Sequence, residues 1–409
     1  MSVPPAVLAN ATLPDGSSAD VHLRDGSVLA LRPSGSSSDD GASDFHDLRG
    51  HLLLTAAADA HAHLDKALTW DAVAPPAGGL MTAVRSFSAF QREASESDIL
   101  GRARIAALTL VENGTSAVRS HVSLVDGPDP LRAVRALVAL RAELAGIAEL
   151  QLVALSTHAS SDEDIAGALH AGADLLGGAP HLSPDPEAQT RRLVELAEQH
   201  GVDLDLHVDE DLHDDHTLGL YAGLVRDWPV GRRATAGHCV RLGTLPAAER
   251  DVLIDDVVAS RMGVVTLPLT NLYLQGRDVE VATPRGLTAV RTLLDRGAML
   301  GAGGDNVRDP FNPLGRSDPF ETAMLLVAAA HLTPAEAWGV VSTGSRAVLG
   351  LPPAGVQPGQ RADLLAVRAG SVGQAVAEAP ADRLVFTAGR LVSRRTVIRD
   401  VVWSERMPG

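Results

Sequence analysis

Between residues 52 and 305 the chain repeats one pattern eight times: a short apolar run that fits a buried strand, followed by a longer stretch of helical or irregular character. The runs are residues 52–65, 116–121, 151–155, 174–177, 202–207, 234–238, 263–267 and 299–305. Amphipathic segments such as 130–144 and 185–200 lie between them. Parallel strands need a crossover of this kind, so the alternation predicts an α/β protein with a parallel sheet. Eight units over roughly 250 residues have the size of a TIM (β/α)8 barrel. A doubly wound sheet is the alternative, but it requires a Gly-rich phosphate turn after the first strand, and none is present.

The flanks read differently. Residues 6–33 alternate polar and apolar side chains and break at Asp15-Gly16 and Asp25-Gly26, which is hairpin chemistry. Residues 33–43, rich in Ser, Gly and Asp, form an exposed loop. After the barrel, residues 334–349 predict one more helix, with Thr333 as cap and Pro334 at the first helical position. The tail returns to strands at 362–367, 383–387 and 389–392. The expected organisation is a hydrolase barrel over 55–349 and a small composite β-sandwich from 1–54 and 350–409. No internal repeat of fixed period is visible.

Composition narrows the function classes. A net charge of −16 opposes a nucleic-acid footprint, because phosphate binding needs clustered Lys and Arg. The acidity is read as serving solubility. Cys239 is the sole cysteine, so no internal disulfide can form and no zinc site can rest on paired cysteines. The opening Met1-Ser2-Val3-Pro4-Pro5 lacks a basic and apolar leader pattern, and the longest apolar runs, such as 324–330, fall far short of about 18 residues. A soluble, cytoplasmic protein with no membrane partner is expected, and a homo-oligomer is compatible with the composition.

The chemistry centres on Asp59-Ala60-His61-Ala62-His63-Leu64-Asp65-Lys66. In an extended strand, side chains two apart share a face, so His61 and His63 can point at one metal ion. His207 ends the fifth apolar run, His238 the sixth and Asp305 the eighth. Barrel active sites lie at the C-terminal ends of the strands, so five such residues in register point to one site. Imidazole and carboxylate suit a divalent transition ion, and a catalytic ion keeps one position open for water, whose pKa falls from about 15.7 toward about 7. His61, His63, His207 and Asp305 are the expected ligands, with His238 beside the water. Glu210, three residues after His207, is the candidate acid/base. His213 and His216, in the same acidic loop, are read as non-catalytic.

These residues resemble the cytosine deaminase branch of the amidohydrolase superfamily over nearly the whole chain. The resemblance is carried, in order, by the HAHLD stretch, Arg119-Ser120-His121-Val122, His207-Val208-Asp209-Glu210 and Gly237-His238. It continues through residues 268–277, ending Leu-Gln-Gly-Arg, and 304–315, ending Asp-Pro-Phe-Asn-Pro-Leu-Gly. It implies a distorted TIM barrel, a small sandwich from the two termini, and hydrolytic deamination at one Fe2+ or Zn2+ ion. It further implies that Glu210 shuttles protons while His238 and Asp305 orient and activate water. Two-metal relatives need a bridging Lys or Glu after the fourth strand; Gly178-Ala179-Pro180-His181 stands there, so a single metal is expected.

Departures from the cytosine enzymes concern the substrate. Thr157 stands where they present a Gln, and a hydroxyl cannot make the paired contact of an amide. Asn306 replaces the Asp that follows the metal-binding Asp, and Lys66 is a further difference, one shared with relatives acting on triazines. Phe311 takes the place of an aromatic lid over the ring. The expected substrate is a small amino-substituted nitrogen heterocycle, cytosine-like or related, releasing ammonia. Alkylamine release from a substituted triazine or opening of a cyclic amide fits the same residues, and an inactive ligand-binding paralogue would retain the barrel without the chemistry. Nucleobase deaminases built on a P-C-x-x-C motif are excluded by the single cysteine.

Overall fold

The computed structural model describes residues 6–39, 41, 44–125, 127–212, 216–398 and 400; the readings at Met1 to Pro5 and at His213 lie outside these residues. Sixteen strands are present among the described residues, in two sheets of eight. The chain ends form the first: β1 (Ala6–Thr12), β2 (Ser18–Arg24), β3 (Ser27–Pro33), β4 (Asp44–Asp47) and β5 (Leu52–Thr55). The barrel strands follow: β6 (Ala57–Ala62), β7 (Thr115–Ser123), β8 (Glu149–Ser156), β9 (Leu175–Gly178), β10 (Asp203–Val208), β11 (Ala234–His238), β12 (Gly263–Thr266) and β13 (Met299–Ala302). The chain then returns to the first sheet with β14 (Leu364–Val367), β15 (Arg383–Thr387) and β16 (Arg390–Arg395).

In the barrel each strand pairs in parallel with its sequence neighbour, β6 through β13. The first sheet is mixed and runs β16-β15-β14-β5-β1-β2-β3, with β4 on β1. Strands from the two chain ends therefore share one sheet, joined where β14 pairs antiparallel with β5, Leu365 opposite Leu54. The apolar run Leu52-Leu53-Leu54 belongs to this mixed sheet, and the histidine-bearing strand begins only after Ala56. All three leucines are buried, because they separate the two cores.

The barrel closes incompletely. β6 meets β13 through a bridge between Ala62 and Asp305, where Asp305 N–H donates to the His61 carbonyl at 2.9 Å and His63 N–H to the Asp305 carbonyl at 3.2 Å. Buried backbone groups along this seam still need partners. Asp59 accepts from the Gly304 N–H, and the Ser345 hydroxyl accepts from Ala302 N–H at 3.0 Å. Ser345 reaches that strand because the helix predicted over 334–349 is not regular: Pro334–Gly339 and Ser345–Val348 are α-helical around a π turn at Val340–Gly344. A Cβ on Gly344 would collide with the Leu300 carbonyl, so the widened turn lets the helix lie directly against β13.

An ion pair between a buried arginine and a partly buried aspartate staples the mixed sheet to the barrel helices. Arg383 on β15 donates to both Asp318 carboxylate oxygens, at 3.0 and 2.8 Å, and to the Asn113 carbonyl at 2.7 Å, and lies over the Phe320 ring. Asp318 also caps the helix Pro319–Ala330. Among the described residues, no helix is long and apolar enough to cross a membrane. Replacing Arg383 with Met strands the Asp318 carboxylate. The expected loss is about 3–5 kcal/mol in equilibrium urea unfolding, with little change in the denaturant slope.

Candidate active site

The C-terminal ends of the barrel strands gather the polar residues. His61 lies within β6 and His63 just beyond it; His207 lies in β10, His238 ends β11, and Asp305 follows β13. His61 Nε2 and His63 Nε2 each stand 3.2 Å from His207 Nε2. Asp305 Oδ1 is 3.4 Å from His63 Nε2 and 3.8 Å from His61 Nε2. All are buried. The backbone bends sharply to aim them: Asp305, His238 and Asp209 occupy the left-handed region with φ of 58°, 67° and 48°. Non-glycine residues held there cost of order 1 kcal/mol or more, and such strain concentrates at functional sites.

The donor set fits a divalent cation. Three imidazole nitrogens converge on one point, and both Asp305 carboxylate oxygens are buried without a hydrogen-bond partner among the described residues. Buried polar groups are ordinarily paired, so these await a ligand. Burial first, then the neighbouring histidines and Lys66, hold His61 and His63 well below the ordinary imidazole value. His207 is lowered in the same direction by burial and the surrounding histidines. Neutral imidazole is the metal-binding form. Asp305 is pushed well up by burial and by the charges of Glu210 and Asp309, the situation that a bound cation relieves.

A further layer holds these groups. His238 Nδ1 lies 2.9 Å from Asn271 Oδ1, so Nδ1 carries the proton and Nε2 faces the site. Glu210 Oε2 stands 3.8 Å from His238 Nε2 and 3.3 Å from His181 Nε2. The Glu210 backbone carbonyl accepts from the Gln275 side-chain amide, and Asp209 turns away to accept from Thr217 N–H at 2.7 Å. Burial opposes the Glu210 charge, but His238, His181 and Lys66 outweigh it and bring the carboxyl to about 2. His216 takes no part: its ring pairs with Glu249 at 3.4 Å. Deeper in the barrel, His121 stacks on His61 with centroids 3.9 Å apart, and Arg119 donates to Asp205 at 2.8 Å and to Thr235 at 3.1 Å.

Beside the cluster opens a cleft of about 860 Å³ lined by His63, His207, Glu210, Asp305 and the remaining predicted residues Lys66, Thr157, Asn306 and Phe311. The Lys66 ammonium lies 4.6 Å from the Phe311 ring centroid and 5.6 Å from that of Phe87, and no carboxylate pairs with it among the described residues. Phe311 also packs edge-on against Phe87 on the helix Leu80–Glu93. Asn306 donates to Asp309 at 2.8 Å, which leaves its carbonyl oxygen as the main free group. Thr157 sits at the exposed rim, where its hydroxyl accepts from the Ala159 N–H.

The sequence reading gave no site role to His181, to Asn271 and Gln275 within the 268–277 motif, or to the helix Leu80–Glu93. His181 and Asn271 stand three and five residues past the ends of β9 and β12, the position that had singled out the ligands. That signal was available for them. The helix faces the cleft through Val84, Phe87, Ser88 and Gln91, a side that no motif marks.

The profile of the Amidohydrolase family matches residues 91–402. The chain belongs to this family. As an amidohydrolase it is a hydrolase of carbon–nitrogen bonds other than peptide bonds. This amidohydrolase is 32% identical over 419 residues to the pterin deaminase of Rhizobium rhizogenes, covering 95% of this chain and 94% of that one. It is 24% identical over 382 residues to the N-isopropylammelide isopropyl amidohydrolase of a Pseudomonas species, at 87% and 89% coverage. The crystal structure of 5-methylcytosine deaminase from Klebsiella pneumoniae, liganded with 5-fluorocytosine, superposes with a TM-score of 0.87 and 25% identity, covering 97% of this chain and 99% of that one.

The cluster depends on Asp59, whose buried carboxyl group accepts the Gly304 N–H across the seam and the His61 N–H along its own strand. Asp59→Ala leaves both donors buried without an acceptor. The expected cost is about 1–3 kcal/mol per donor. Hydrogen exchange at Gly304 and His61, read with the urea midpoint, checks it: protection at both amides should fall together.

Proposed function

We propose that this amidohydrolase is a hydrolytic deaminase of amino-substituted, oxo-bearing nitrogen heterocycles, most suited to a pterin-like bicycle, and that it works with one iron or zinc ion. The observation that carries the reading is Glu210: a buried carboxylate beside His238, in the cleft that also opens onto the His61, His63, His207 and Asp305 cluster. Those four residues would hold the ion, which when bound supplies water activated for attack at neutral pH. Deeper in the barrel Arg119 pairs with Asp205 at 2.8 Å, so the charge of that carboxylate is balanced without a second cation.

The chain's own groups then move protons and hold the ring. Glu210 takes a proton from the attacking water and passes it to a ring nitrogen, so the amidine-like carbon accepts the oxygen. A second transfer through Glu210 lets the amino group leave as ammonia. His238, its Nδ1 proton committed to Asn271, presents Nε2 to the attacking water and orients it. Phe311 offers a face for the ring, and Lys66 offers an unpaired cation to an oxo group. Thr157 at the rim leaves room where an amide would crowd a second ring, and the relative of 32% identity is a pterin deaminase. Asn306 presents an acceptor to a ring N–H.

Glu210→Gln should lower kcat by roughly 10²–10⁴-fold while metal content stays at the wild-type level. Turnover near wild type would remove Glu210 from the shuttle. Metal analysis should return about one equivalent per chain, and chelation should abolish activity that added Fe2+ or Zn2+ restores. A screen of pterin, cytosine, isocytosine, creatinine and aminotriazines, read by ammonia release, should favour the bicycle. Primary alkylamine from a substituted triazine would instead place the enzyme with its relative of 24% identity.

Lys66→Met removes the unpaired ammonium. KM should rise by roughly 10- to 100-fold, the worth of a hydrogen bond to a charged group, with metal content unchanged.

A further inference from the structure

His181 has no part in the reaction as drawn so far. It sits on the 3₁₀ turn Pro180–Leu182, directly after β9, and its ring is buried. Its Nε2 faces Glu210 Oε2 at 3.3 Å, and beyond that approach neither ring nitrogen has a hydrogen-bond partner among the described residues. A residue that merely fills space has no need of two buried polar atoms, whose burial is costly. On the far side, His238 Nε2 stands 3.8 Å from the same Oε2. Among the described residues no side chain other than these two imidazoles reaches the carboxylate, so Oε1 is the oxygen left for water and substrate.

We propose that His181 is a positioning residue that donates from Nε2–H to Glu210 Oε2 and so reserves Oε1 for proton transfer. The inference rests on the reading of Glu210 as the shuttle. A glutamate side chain has three rotatable bonds, and a shuttle must return to one place twice in each turnover. Holding one oxygen removes that search from the chemical step, because the ordering is completed on folding. The histidine proton stays on Nε2 throughout. Oε1 alone gains a proton from water and loses it to the ring nitrogen, then gains and loses another as the amino group departs.

The electrostatics agree with this donor role. Burial works against a charge on His181, but the hydrogen bond and charge of Glu210, with Asp211 and Asp209 behind it, outweigh burial and raise its pKa. The backbone prepares the same geometry from the other side, since Gln275 holds the Glu210 carbonyl.

The test compares His181→Leu with His181→Gln in the metal-loaded protein. His181→Leu should lower kcat by roughly 10- to 100-fold. KM should stay within about twofold, with metal content unchanged. His181→Gln, whose amide can donate to the same oxygen, should recover most of the loss. Wild-type kcat in His181→Leu, or equal losses in both variants, would overturn the proposal. Nuclear magnetic resonance on isotope-labelled histidine gives a readout without turnover: the His181 Nε2–H signal should shift in Glu210→Gln and stay in place in Lys66→Met. An unmoved signal in Glu210→Gln also overturns it. If the wild-type enzyme released no amine from any heterocycle, the deaminase reading would fail, while the resonance experiment would still decide whether His181 holds Glu210.

Discussion

The site depends on how the first barrel strand meets the last. β6 is bridged only to the residues that follow β13, yet that single bridge sets Asp305 beside Ala62 and thereby beside His61 and His63. Three of the four convergent donors are delivered by this one junction. Gly303 fits it for a steric reason, since a Cβ there would strike the His61 carbonyl. Asp59 and Ser345 stand in for the missing ladder partners, so the gap is closed by side chains instead of strand pairing.

Charge is organised in two tiers along the barrel axis. In the lower tier Arg119 meets Asp205, and Thr235 and Gln151 take up the rest of the guanidinium. Burial still pushes Asp205 to about 6, but the tier is balanced. In the upper tier no Lys or Arg pairs with Asp305 among the described residues, and Lys66 acts on it only as a more distant charge. A fold that supplies an arginine to one buried carboxylate and none to the next has kept the second for something brought from outside.

Much of this was legible in the sequence because of period. Eight apolar runs separated by helical crossovers permit few folds, and a parallel barrel places each run's last polar residue at one mouth. His207, His238 and Asp305 were found that way. The Leu52-Leu53-Leu54 run was read two ways, as the opening of the first barrel run and as the end of the flank over 1–54, because a strand's apolar character does not reveal which of two abutting sheets it joins. The π turn at 340–344 was invisible too: its cause is the approach of Gly344 to β13, a contact that no local propensity encodes. His181 was read only as the absence of a bridging lysine, although it stands after its strand much as the ligands do after theirs. Thr157, singled out as a departure, lies at the rim with its hydroxyl engaged in a local turn.

The pairing of β5 with β14 has a bearing on how the molecule comes to be. Leu54 is matched to Leu365, so the sheet that unites the chain's flanks cannot zip until everything between them has emerged from the ribosome. Contacts of such sequence separation form late and slowly. Until then the local hairpins of β1, β2 and β3 can form, but the β5 edge stays open to wrong partners. The barrel closure at Asp305 precedes β14 in the chain, so the mouth that gathers the histidine cluster can assemble on a nascent protein whose outer clasp has yet to be made.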